Sequence, residues 1–116
     1  MDSIKNMVKI AHEALDEKMA EEITIIDISK VSTVADYFII ANGRNSNQVQ
    51  AIVDNVTEKL GRAGYDYRQI EGYQEARWVL LDYQDVVIHV FSSDDRRFYD
   101  LERIWRDGSL VEVDNL

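Results

Sequence analysis

Apolar residues recur at helical spacing in three stretches of the chain and alternate or run together in five others. Ile4, Met7, Val8, Ala11 and Leu15 fall on one side of a helix that Ser3 can cap, with Lys5, Lys9, Glu13 and Asp16 outside. From Ile23 to Ser29 the chain is rich in β-branched residues and too short for a second helix, so it reads as a strand. Tyr37 to Ala41 is apolar on both alternating faces, the pattern of a central strand covered on both sides, and Asn42-Gly43 breaks it. Ser46 then caps a helix with Val49, Ile52, Val53, Val56 and Leu60 in one stripe, closing between Gly61 and Gly64. Three extended segments follow: Tyr65 to Ile70, Arg77 to Tyr83 and Val86 to Phe91. Glu71-Gly72 separates the first two, and Tyr83-Gln84 leaves room only for a tight hairpin.

A last helix is expected from Asp94-Asp95, whose acids suit the positive end of its dipole, to Gly108, with Phe98, Leu101, Ile104 and Trp105 on one side. The order αββαβββα predicts an α/β fold with a mixed five-stranded sheet flanked by helices. One domain over residues 1–108 and a flexible C-terminal tail over 109–116 account for the whole length.

The 116 residues contain no cysteine, which removes disulfides and thiolate zinc sites and leaves His12 and His89 as the only imidazoles. No apolar run approaches the ~20 residues of a membrane-spanning helix, and the acidic start of the chain has no signal-peptide pattern, so a cytoplasmic location is expected. The net charge of −9 repels phosphate and favours basic protein surfaces over nucleic acid. The excess is uneven, since residues 71–116 hold 11 acids and 5 bases while residues 1–70 hold 11 acids and 8 bases.

Three separated blocks carry a family resemblance. They are Asp36-Tyr37-Phe38-Ile39-Ile40-Ala41; Gly72 with the run Trp78 to Phe91; and Arg97-Phe98-Tyr99-Asp100-Leu101-Glu102-Arg103-Ile104-Trp105. In type, order and spacing they resemble the ribosomal silencing factor RsfS, or Iojap, family, over roughly residues 5–106. The resemblance implies a nucleotidyltransferase-like fold, commonly homodimeric. It further implies binding to ribosomal protein L-fourteen on the large subunit, where the factor's bulk blocks joining of the small subunit and represses translation under nutrient limitation. Gln84 departs from the family pattern, which has glycine in the hairpin.

The candidate contact residues lie in the second and third blocks. Trp78 and Leu80 share one side of their strand, opposite Val79, Leu81 and Tyr83. Trp78 alone reads equally as core or contact, and the resemblance favours contact. Asp82 and Asp85 flank the turn, where Asp serves local hydrogen bonds, and could also form an acidic rim toward a basic partner. Tyr99 and Glu102, three apart on the last helix, complete the expected surface. His89 alternates with Val87 and Phe91 and reads as a buried, satisfied histidine rather than a ligand or base.

Catalysis finds little support. Asp100 and Glu102 turn about 200° apart on a helix. Asn42-Gly43-Arg44-Asn45-Ser46 has no phosphate-binding lysine, and no nucleophile stands in a recognisable triad. A metal-dependent nucleotidyltransferase and a plain homodimeric scaffold are the alternatives to the expectation of a non-catalytic, cofactor-free binding module.

Overall fold

The computed structural model describes residues 3–30, 32–93, 109–113 and 116. Helix α1 (Ser3–Glu17) buries Met7, Val8, Ala11 and Leu15 of the expected stripe together with Ala14, while Ile4 is only partly buried. Strand β1 (Glu21–Asp27) is shifted toward the N-terminus of the expected segment. It stops at Asp27 because that carboxylate accepts from both the backbone N–H and the hydroxyl of Ser29, at 2.9 and 2.6 Å, and turns the chain. Strand β2 (Tyr37–Gly43) is buried along its whole length, as a strand covered on both faces must be.

Helix α2 (Ser46–Arg62) is capped by Asn45, one residue before the expected Ser46. The Asn45 side chain accepts from Gln48 N at 2.9 Å. The helix ends where Gly64 takes φ +93°, and Tyr65 N then donates to Leu60 O at 2.9 Å. Tyr65 is thereby committed to the helix end, and its hydroxyl donates to Ser3 O at 3.2 Å. The next strand, β3, is consequently only Gln69–Glu71 rather than the expected Tyr65 to Ile70. Strands β4 (Trp78–Asp82) and β5 (Val86–Ser92) form the predicted hairpin.

A sixth strand, β6 (Ser109–Val111), corrects the expected count of five: it lies at the start of the expected tail and pairs antiparallel with β1. Its three residues are too few to show alternation, and Leu110 is largely exposed, so the hydrophobic pattern carried no sign of it. The expected last helix lies outside the described residues.

The sheet order is β3-β4-β5-β2-β1-β6, with β2 and β5 parallel and every other neighbour antiparallel. Alternation along the central strands sorts their side chains into two cores. Tyr37, Ile39, Ala41, Val79, Leu81, Ile88 and Val90 meet α1 and α2, whereas Ile26, Phe38, Ile40, Val87 and Phe91 pack on the other face with Ile28 and Ala35. Asn55 ties the helices together by donating to Ala14 O at 2.8 Å, a carbonyl in the last turn of α1. Among the described residues no helix is long and apolar enough to cross a membrane.

Candidate docking surface

Strand β4 puts Val79 and Leu81 into the helix-side core and leaves Trp78, Leu80 and Asp82 half-buried in a row on the other face. Trp78 and Leu80 pack against the second apolar cluster, so each is anchored at its base while part of its surface stays open. The register sets Trp78 opposite Phe91, Leu80 opposite His89 and Asp82 opposite Val87. The Trp78 indole stacks on Phe91 with ring centroids 5.1 Å apart at 24°, and its Nε1–H donates to Nδ1 of His89 at 3.1 Å.

Gly72 supports this row from behind. It adopts φ +81°, and a Cβ there would stand 2.2 Å from the Trp78 carbonyl oxygen. Only glycine meets both conditions, so the loop before β4 can lie against the Trp78 backbone.

Asp82 performs the turn duty its position suggested. Its Oδ1 accepts from Gln84 N at 2.7 Å, and its Oδ2 accepts from Arg68 at 2.8 Å. Partial burial alone would raise its pKa; the hydrogen bonds from Arg68 and Gln84, together with the Arg68 charge, outweigh this and hold it below the ordinary 3.8. Asp85 ties the turn to the sheet through its backbone carbonyl, which accepts from Asp36 N at 2.8 Å and Tyr37 N at 3.2 Å. Trp78, Leu80, Asp82 and Asp85 thus belong to one hairpin, while Tyr99 and Glu102 lie outside the described residues.

His89 is 4 % exposed, and burial lowers its pKa to about 4, so the ring is neutral at ordinary pH. It was expected to be a satisfied core histidine. Its Nδ1 is satisfied by Trp78, but Nε2 has no hydrogen-bond partner among the described residues. Residue-by-residue reading missed two pairings, Arg68 with Asp82 at the turn and buried His89 with Trp78 beneath the row. The signal available for His89 was the hairpin register, which makes it the diagonal neighbour of Trp78.

On the opposite, helical side, a cavity of about 340 Å³ is lined by Ile10, Glu13, Ala14, Glu17, Lys59, Arg62 and Ala63. Among the described residues no three His, Asp or Glu side chains are grouped so that they could hold a metal ion.

Comparison with known proteins is consistent along the full chain. A family profile described as "Ribosomal silencing factor during starvation" matches residues 1–116. The ribosomal silencing factor RsfS of Bacillus subtilis is 44% identical over 110 residues, covering 95% of this chain and 93% of its own. A crystal structure of a Chromobacterium violaceum protein superposes with a TM-score of 0.87 at 37% identity, over 90% of this chain and 87% of that one. One from Bacillus halodurans gives 0.83 at 37% identity, over 92% and 97%.

Proposed function

Because the chain belongs to the ribosomal silencing factor RsfS family, a regulatory family and not a catalytic one, we propose that it docks on the large ribosomal subunit through ribosomal protein L-fourteen and sterically blocks joining of the small subunit. It thereby represses translation in the cytoplasm when nutrients are limiting. The observation that supports this reading best is the row of Trp78 and Leu80, half-buried on β4 and next to an acidic turn, in a protein of net charge −9. Half-buried aromatic and aliphatic side chains on a rigid strand suit the centre of a docking patch. Acidic surface around them speeds approach to a basic partner and orients it.

Blocking requires no chemistry. A domain of this size, held on the joining face, occupies volume that the small subunit needs. The free protein is a homodimer in this reading, with the same apolar row facing a second copy, so self-association and docking compete by mass action.

Calorimetric titration of purified L-fourteen at several salt concentrations tests the contact. Saturable binding that weakens with salt is expected, and Trp78→Ala weakens it by at least about 1 to 2 kcal/mol, as truncation of a buried aromatic anchor does. Absence of binding at low salt would contradict the proposed partner.

A further inference from the structure

We infer that His89 is a positioning residue for docking, and that its Nδ1 holds the Trp78 indole in the one orientation in which the ring is presented from β4. The inference rests on Trp78 being a docking anchor. Stacking on Phe91 fixes the plane of the indole but discriminates poorly between the two ways the ring can lie in that plane, because the torsion that flips it is broad and roughly two-fold. A directional N–H···N bond of 3.1 Å breaks that near-degeneracy.

The acceptor is itself held in place. His89 meets Phe38 edge-on at 4.8 Å and lies nearly parallel to Phe91 at 6.4 Å. To accept at Nδ1 the neutral ring must carry its proton on Nε2, and that buried N–H is the atom left without a partner among the described residues. A leucine would fill much of the same apolar space without an unpaired donor. What an imidazole adds at this position is therefore the Nδ1 acceptor, and among the described residues its one hydrogen bond goes to Trp78. An indole ordered before the encounter loses less conformational freedom on docking.

The test reads ring geometry and docking separately. In ¹⁵N-labelled protein, a scalar coupling across the N–H···N bond reports the contact directly, the Trp78 indole resonance being assigned by its loss in Trp78→Phe. Large-subunit affinity is then measured for His89→Leu, His89→Asn and Trp78→Ala. Asn places a side-chain oxygen near the Nδ1 position and can accept from the indole, whereas Leu cannot.

The coupling is expected in the wild type. His89→Leu should shift the indole resonance and weaken docking about three- to tenfold, the equivalent of one net hydrogen bond, and His89→Asn should restore both. If His89→Leu does not fold, the wild-type coupling and the asparagine variant decide: a missing coupling, or a folded asparagine variant that docks as weakly as Trp78→Ala, overturns the inference. Wild-type affinity in His89→Leu alongside weakened Trp78→Ala overturns the positioning role and leaves the docking surface standing. Wild-type affinity in Trp78→Ala removes the docking role of Trp78, and the inference falls with it.

Discussion

Arg68 and Asp82 are joined twice across the β3–β4 edge: the guanidinium donates to the carboxylate at 2.8 Å, and the Arg68 backbone N–H donates to the Asp82 carbonyl at 2.7 Å. The acid expected to reach for a basic partner is already compensated within the fold. Asp82→Asn should therefore change large-subunit affinity less than threefold, well below the effect of Trp78→Ala. Stability should respond more, because one carboxylate serves both the turn and the ion pair, and Asp82→Ala should cost about 1 to 2 kcal/mol in urea unfolding. The folded pKa is lowered, so this contribution is present above the ordinary 3.8 and is lost as pH falls below it. The gap between wild type and Asp82→Ala should accordingly narrow on going from pH 5 to pH 3.

Acidification acts on His89 over a higher window. Its folded pKa is lowered from 6.5 to about 4 by burial, so between those values the unfolded chain takes up a proton that the folded one refuses. Stability is thus full above pH 6.5 and declines as pH falls toward 4, by as much as about 3 kcal/mol. Urea midpoints measured from pH 7 to pH 4 should fall more steeply for the wild type than for His89→Asn, which has no proton to take up.

Two glycines with positive φ should respond differently to alanine. At Gly72 the added methyl meets the Trp78 carbonyl at 2.2 Å, whereas at Gly64 nothing lies within 4 Å. Gly64→Ala should cost about 1 to 2 kcal/mol, the price of the left-handed backbone alone. Gly72→Ala adds a backbone collision and should cost about 3 kcal/mol or more, with a shift in Trp78 fluorescence because the strand must move. Equal losses at the two positions would show that the loop before β4 yields freely.

Gln84 stands at φ +75° in the β4–β5 turn, a conformation that glycine adopts without strain. Relief of that strain is partly offset by the larger entropy of glycine in the unfolded chain. Gln84→Gly should therefore stabilise the protein by about 0.5 to 1 kcal/mol in thermal or urea unfolding, with docking unchanged.

Periodicity made both described helices, the buried central strand and the β4–β5 hairpin legible, since each has enough residues to show a repeat. Ser109–Val111 offers only three residues and joins the sheet through backbone pairing with β1, a long-range event that leaves no local trace. Tyr65 to Arg68 has strand-like composition, yet Gly64 turns the chain and Tyr65 is used by the helices. The same division holds at the surface. Alternation was enough to place Trp78 and Leu80 together on one face of β4, but the bonds from Trp78 to His89 and from Arg68 to Asp82 depend on how neighbouring strands align, which side-chain types alone do not specify.

The most direct measurement is sedimentation of purified small and large ribosomal subunits mixed with increasing amounts of this protein. Steric blocking predicts that joined ribosomes disappear in step with occupancy of the large subunit, and that Trp78→Ala moves the dependence to higher protein concentration. Undiminished joining with the large subunit saturated would contradict the account.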